Sequence, residues 1–112
     1  MEPRKEIEFL GDSLESIRSF PAVARSEAGF QLRRVQMSLD PADWKPMKSV
    51  GAGVSEIRIR DEQGIYRIIY VAKFASAIFV LHAFQKKTQK TAFGDLAVAI
   101  KRYKELQKEQ SR

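Results

Sequence analysis

The spacing of hydrophobic and polar residues changes part-way along the chain. Residues 5–10 alternate between charged and apolar side chains, which predicts a half-buried strand. A capping-box pattern at Asp12 and Glu15 predicts a short helix, and a period near 3.6 predicts a second helix from Pro21 to about Ser38. The apolar face of the second helix consists of Ala24, Ala28, Leu32, Val35 and Leu39.

After the Pro- and Gly-containing segment Asp40–Gly53, which we interpret as a loop, the period becomes two. Strands are predicted at Val54–Arg60, Ile65–Ala72 and Ser76–Phe84, and the short connections between them favour an antiparallel meander. The third of these strands is almost continuously apolar, which is typical of a central strand covered on both faces. An amphipathic C-terminal helix follows, with an apolar face formed by Phe93, Leu96, Ala97, Ile100, Tyr103 and Leu106.

The predicted order of elements is β-α-α-β-β-β-α. It indicates an α+β fold, a small antiparallel sheet with helices packed on one side of it. With 112 residues, 44% of them hydrophobic and 30% charged, we expect one globular domain over residues 1–112. The absence of cysteine excludes disulfides, thiolate metal sites and a cysteine nucleophile. The apolar runs are too short to span a bilayer and the N-terminus lacks a signal-peptide core, so we expect a cytoplasmic protein with no membrane partner.

Positive charge is concentrated in one part of the chain. Residues 1–43 hold six basic and eight acidic side chains, a net charge of −2, whereas residues 44–112 hold fourteen basic and six acidic ones, a net charge of +8. A basic region of this size favours a polyanionic partner such as a nucleic acid, and the alternative is a solvated lysine-rich surface.

The sequence contains few motifs of metal, nucleotide or acid–base chemistry. It has no pair of carboxylates with catalytic spacing and no histidine cluster, and Gly51-Ala52-Gly53 is not followed by the Lys-Ser/Thr of a phosphate-binding loop. We therefore expect no metal and no cofactor. His82, the only histidine, lies in an apolar strand, where a hydrogen-bonded core histidine is a more common finding than a catalytic one.

Several cations lie on predicted strands. Arg58 and Arg60 are two residues apart and therefore point to the same face. Arg67 lies in an apolar run and requires an anionic partner or a cleft, and Glu56 is the candidate partner. Adjacent strands would allow Arg58, Arg67 and Lys87 to line a shallow phosphate-binding site, whereas Lys86-Lys87 could instead protect a sheet edge. For Lys45 and Lys90 we favour a solvated surface position.

Four stretches, taken together and in this order, resemble the phage-derived branch of HigB-like toxins in the RelE/ParE superfamily. They are Lys45–Lys48, Gly51–Arg60, Tyr66–Val71 and Leu81–Thr91. This resemblance implies a small twisted antiparallel sheet with N-terminal helices and a C-terminal helix. It further implies the toxin of a type II toxin–antitoxin pair, an endoribonuclease that cuts mRNA on translating ribosomes with the RNA 2′-OH as nucleophile.

The resemblance also assigns roles by position. It places Arg58, Arg67, Lys86 and Lys87 in the catalytic site, and Glu56 stands where several relatives have a lysine. Phe93 stands where some relatives have a catalytic tyrosine. The resemblance therefore does not identify the general base, and His82 is a further catalytic candidate. We expect further RNA contacts from Lys48, Arg60, Thr88 and Lys90.

The expected partners are mRNA on the ribosome and a small helix-turn-helix antitoxin encoded nearby. Two alternatives stay open. One is a ParE-like toxin that inhibits gyrase and cuts nothing, and the other is a catalytically silent prophage protein that binds RNA or the ribosome. Replacing Arg67 with alanine distinguishes them, because toxicity should disappear for a nuclease and persist for a gyrase inhibitor.

Overall fold

A computed structural model describes residues 4–86 and 92–111 of the chain, and within these ranges it contains five strands and three helices. This architecture confirms the predicted α+β class. The elements in chain order are β1 (Ile7–Phe9), α1 (Ser13–Arg18), α2 (Ala22–Gln36), β2 (Trp44–Pro46), β3 (Val54–Asp61), β4 (Gly64–Val71), β5 (Ile78–Lys86) and α3 (Phe93–Gln110).

The strands form one sheet in the order β1-β5-β4-β3-β2. The predicted antiparallel meander of β3, β4 and β5 is confirmed. However, β1 pairs with β5 in parallel, with Ile7 opposite Ile78, so the sheet is mixed and the prediction of a wholly antiparallel sheet was wrong. The chain leaves β1 through two helices instead of a hairpin, and no tight turn forces the direction of β1 to oppose that of its neighbour.

The fifth strand, β2, lies within the segment that was interpreted as a loop. Its three residues pair with β3, placing Lys45 opposite Glu56 and Pro46 opposite Ser55. Proline has no backbone N–H to donate and is therefore tolerated at a sheet edge, which is where β2 lies. The observed order is accordingly β-α-α-β-β-β-β-α.

Helices pack on both faces of the sheet, which corrects the expectation that they would lie on one side. The first face, under α1 and α2, is apolar and includes Ile57, Ile68 and Val80. On the second face, α3 packs through Ala99, Tyr103 and Leu106 against residues such as Ile69 and Leu81. Both faces are covered because β4 and β5 carry apolar residues at consecutive positions, so each face of these strands has apolar side chains to bury.

The helix ends differ in detail from the predictions. Asp12 is the N-cap of α1, but its side chain does not cap the helix and instead accepts a hydrogen bond of 3.0 Å from Nη2 of Arg102. α2 ends at Gln36, before the predicted boundary, and Ser38 adopts a left-handed φ of 65°. Leu39 is therefore exposed, while the four residues predicted before it on the α2 apolar face are buried.

The backbone approaches α3 closely at Gly51, where a Cβ atom would overlap the ring of Tyr103. The Tyr103 hydroxyl donates a 2.8 Å hydrogen bond to the Ala52 carbonyl and accepts one of 2.8 Å from Nζ of Lys73. This helix is thus attached to the sheet by polar as well as apolar contacts. Within the described ranges, no helix combines the length and the apolar character needed to cross a membrane.

Candidate functional site

A buried ion pair lies between two central strands on the second face of the sheet. Arg67 of β4 is 2% exposed and Glu56 of β3 is 1% exposed, and Nη1 of Arg67 donates a hydrogen bond to Oε1 of Glu56. The prediction that Glu56 is the partner of Arg67 is confirmed. Removing either partner would leave a charge buried without compensation, which typically costs about 3–5 kcal/mol.

Three further cations surround this pair, and together with Arg67 we call them the basic cluster: Lys45, Arg58, Arg67 and Lys86. Arg58 lies directly opposite Arg67 across the β3–β4 ladder, and its Nε is 3.8 Å from Oδ2 of Asp43. Nζ of Lys45 is 3.9 Å from Oε1 of Glu56, so Lys45 belongs to the site, although the sequence favoured a solvated position for it.

Lys86 is the last residue of β5 and completes the basic cluster. Partial burial lowers the pKa of Lys86 from its usual 10.5, and the charges of Arg67, Lys45 and Arg58 lower it further, against an opposing effect of Glu56. The neutral amine, which is able to accept a proton, is therefore more populated at Lys86 than at an isolated lysine.

Two N–H donors of the basic cluster have no hydrogen-bond partner within residues 4–86 and 92–111. Among the residues that the structure describes, Nε of Arg58 and Nε of Arg67 are buried and have no hydrogen-bond partner. Buried donors of this kind carry a desolvation cost until an acceptor binds. Phosphate oxygens match the fork of guanidinium donors in geometry and charge, so the arrangement suits a phosphate-containing ligand.

His82 lies on the same face, two residue pairs along the β4–β5 ladder from Arg67 and Phe84. Its Nε2 is 2.7 Å from Oδ1 of Asp95 in the first turn of α3, and its ring stacks on Phe84 at a centroid distance of 5.2 Å. His82 therefore has the partner expected of a satisfied histidine. Its Nδ1 is buried and has no hydrogen-bond partner within residues 4–86 and 92–111.

The remaining predicted site residues are not all brought together. Lys48 is exposed in the turn after β2, and Arg60 is exposed near the end of β3, where it borders a groove lined by the start of α2. Phe93 is the first residue of α3 and is 88% exposed. Lys87, Thr88 and Lys90 lie outside the described residues.

Sequence reasoning missed three residues near the site: Asp43, Lys45 and Asp95. The first two lie in the segment interpreted as a loop, and the alternation of its three-residue strand is too short to recognise. Asp95 carried a usable signal, since acidic residues are common in the first turn of a helix. In the described part of the chain, no three His, Asp or Glu side chains are close enough together to hold a metal ion.

The family model that matches this chain is described as phage-derived protein Gp49-like, and it covers residues 15–104. The chain belongs to the Gp49-like family. The matched span runs from α1 into α3 and includes every residue of the basic cluster. A search of curated protein sequences found no match.

Among solved structures, this Gp49-like chain is similar to a double arginine-to-alanine mutant of the toxin RelE from E. coli in the free state. The TM-score is 0.66 at 17% sequence identity, and the match covers 89% of this chain and 98% of that chain. At this identity the similarity establishes a shared fold. The expectations of a phage-derived family and of a RelE-like fold are confirmed.

Proposed function

We propose that this protein is the toxin of a type II toxin–antitoxin pair and that it cuts mRNA on the translating ribosome. The observation that carries the proposal is the basic cluster, four cations held on strands around a buried carboxylate. The RelE-like fold supports the same function, since the matching structure is that of a toxin. Positive charge held on a rigid sheet suits a polyanionic substrate better than charge on a flexible tail does.

The two arginines of the basic cluster would hold the scissile phosphate. Glu56 fixes one side of the Arg67 guanidinium, which leaves Nε as a buried donor without a partner in the described structure. Arg58, directly opposite, has a second such donor. Both would donate to phosphate oxygens and stabilise the negative charge that builds up on them in the transition state.

Lys86 would act as the general base. The RNA 2′-oxygen attacks the adjacent phosphorus while its proton passes to the neutral amine of Lys86, and the bond from phosphorus to the 5′-oxygen breaks. The products are a 2′,3′-cyclic phosphate and a 5′-hydroxyl, whose proton comes from a second group. Lys87 is our candidate for that group because it follows Lys86 directly in the sequence.

Dependence on the ribosome follows from what the site lacks. Phe93, at the start of α3, cannot exchange a proton, so the protein supplies fewer acid–base groups than relatives with a tyrosine there. A ribosome that holds the mRNA with its 2′-oxygen in line with the phosphate would compensate by orientation. His82 would contribute by holding Asp95 and the start of α3 beside the strands.

The direct test is primer-extension mapping of a reporter mRNA in a reconstituted translation system. We expect new 5′ ends with the wild-type protein that require ribosomes and disappear with the Lys86→Ala, Lys87→Ala double variant. Lys101→Ala, which removes the same charge from an exposed position of α3, is the matched control and should cleave normally. Intact mRNA during active translation would contradict the proposal.

One observation favours the alternative of a catalytically silent RNA- or ribosome-binding protein. Glu56 neutralises part of the charge that would act on the phosphate. The variant Arg67→Lys keeps the ion pair with Glu56 but removes the guanidinium fork. We expect it to abolish cleavage. A wild-type protein that binds ribosomes without producing new 5′ ends would identify the silent alternative, and toxicity that persists with inhibited DNA supercoiling would identify a gyrase inhibitor.

A toxin of this kind requires a neutralising partner. We propose a small helix-turn-helix antitoxin encoded next to this gene, which blocks either the basic cluster or entry to the ribosome. Co-expression with the neighbouring small gene, followed by affinity purification and a growth assay, tests this. Growth arrest that co-expression does not relieve would contradict it.

A further inference from the structure

A stripe of large apolar side chains runs along the outer surface of α2. Val23, Phe30 and Met37 are 71%, 54% and 56% exposed. They are seven residues apart, close to two helical turns, so they lie on one line along the helix, with Met37 at its C-cap. The opposite side of α2 is already buried against the sheet. Apolar residues seven apart on an exposed helix face occupy the same heptad position, which is the pattern through which helices pair.

Charged residues border this stripe in a self-complementary pattern. Glu27 and Arg34 lie on the same side of it, three residues before and four residues after Phe30. When two such helices pack antiparallel about a two-fold axis at Phe30, residues on the same side of the stripe and at nearly the same distance before and after the axis meet. The offsets of Glu27 and Arg34 from Phe30 differ by one residue, a rise of about 1.5 Å. Glu27 of each helix then faces the partner's Arg34.

We propose that α2 pairs in antiparallel orientation with α2 of a second copy of this chain. Phe30 packs on the partner's Phe30 at the two-fold axis, and Val23 packs on the partner's Met37. Two reciprocal ion pairs between Glu27 and Arg34 flank this apolar seam and fix the orientation. An interface in which the same patch is used twice is the commonest kind in homo-oligomers.

The distribution of charge permits this self-association. The charged residues of α2 are Arg25, Glu27, Arg33 and Arg34, a net charge of +2, so the surface that meets is less basic than residues 44–112, whose net charge is +8. α2 and the basic cluster lie on opposite faces of the sheet, since the first face belongs to α1 and α2 and Arg67 lies on the second. The dimer therefore leaves the basic cluster open, and the inference does not rest on the proposed function.

The test is sedimentation velocity of the full chain over concentrations of about 1–100 μM, a range that detects dissociation constants in the micromolar region. We expect the mass of two 12.8 kDa chains at high concentration. Phe30→Lys, at an exposed position where the fold should tolerate it, should weaken association by at least about tenfold. Arg25→Glu, on the same helix but away from the stripe, is the matched control and should still dimerise.

Charge exchange tests the orientation. Glu27→Arg and Arg34→Glu should each weaken the dimer, and the double variant Glu27→Arg, Arg34→Glu should restore it, because the swapped charges meet again only in antiparallel packing. Circular dichroism confirms that each variant is folded. A wild-type protein that is monomeric at every concentration would overturn the inference and indicate that the stripe binds a different protein. A dimer whose stability changes neither with Phe30→Lys nor with the charge exchange would also overturn it.

Discussion

The two faces of the sheet are built from alternate residues of the same strands, yet they are stabilised in different ways. On the first face, Ile57 and Ile68 are neighbours in an apolar layer under α1 and α2. On the second face, Glu56 and Arg67 occupy adjacent positions of the same two strands and are equally buried. Burial stabilises the first pair directly, whereas the second is stable only because each charge compensates the other. A charged site can therefore be built into a sheet whose reverse side is an ordinary core.

The largest effect should follow from removing one charge of the buried pair. Glu56→Ala leaves Arg67 without its carboxylate, and we expect the free energy of unfolding to fall by about 3–5 kcal/mol. Urea unfolding followed by circular dichroism measures this. The double variant Glu56→Met, Arg67→Met makes this position as apolar as the first face and should recover most of the stability while abolishing cleavage. A Glu56→Ala protein whose free energy of unfolding lies within about 1 kcal/mol of the wild-type value would contradict the view that the second face is stable only because its charges compensate each other.

A smaller effect is expected from the polar attachment of α3. Tyr103→Phe removes the hydrogen bonds to the Ala52 carbonyl and from Lys73 but keeps the ring against Gly51. We expect a loss of about 1–2 kcal/mol in thermal or urea unfolding. Unchanged stability would mean that these two hydrogen bonds contribute nothing measurable, and that the attachment of α3 depends on its apolar packing and on the hydrogen bonds of Asp95 and Arg102.

The lowered pKa of Lys86 predicts a pH dependence of cleavage. In the proposed mechanism the base is the neutral amine of Lys86, so the cleavage rate should rise about tenfold per pH unit below the pKa of Lys86. The lowered pKa places the end of that rise below pH 10.5. Rates measured between about pH 6.5 and 8.5 on stalled ribosomes should show this slope. Lys86→Arg, which stays charged throughout, should be slow at every pH. If Lys86→Arg kept the wild-type dependence of rate on pH, another group would be the base.

The smallest effect concerns the exposed ion pair of Asp12 with Arg102, which links α1 to α3 around the sheet edge. The hydrogen bond from Arg102 lowers the pKa of Asp12 below its usual 3.8, so its contribution to stability is present above that value and is lost as the pH falls through the lowered pKa. Because Asp12 is largely exposed, Asp12→Asn should lower the free energy of unfolding by less than about 1 kcal/mol at pH 7. The difference from wild type should shrink as the pH falls below 3.8 in acid unfolding experiments; a difference that does not shrink would contradict an electrostatic origin.

Local patterns predicted most of the fold, because apolar residues on the buried face repeat about every 3.6 residues in a helix and every two residues in a strand. The buried partner of Arg67 was also predictable, since an arginine in an apolar run requires a counter-charge. The almost continuously apolar sequence of β5 indicated a strand covered on both faces, although the helices were predicted to lie on one side of the sheet. Long-range geometry was not accessible: the parallel pairing of Ile7 with Ile78 and the bond from Arg102 to Asp12 join residues far apart in sequence.

The parallel pairing of β1 with β5 affects how the protein is made. The partner of Ile7 is Ile78, about 70 residues later in the chain. At about 5–20 residues per second, a ribosome needs roughly 4–14 s to synthesise that partner after β1. Lys86 is added later still, so a growing polypeptide has no complete basic cluster until the end of β5 has been synthesised. An unfinished polypeptide would therefore lack the complete phosphate-binding arrangement that the proposed function requires.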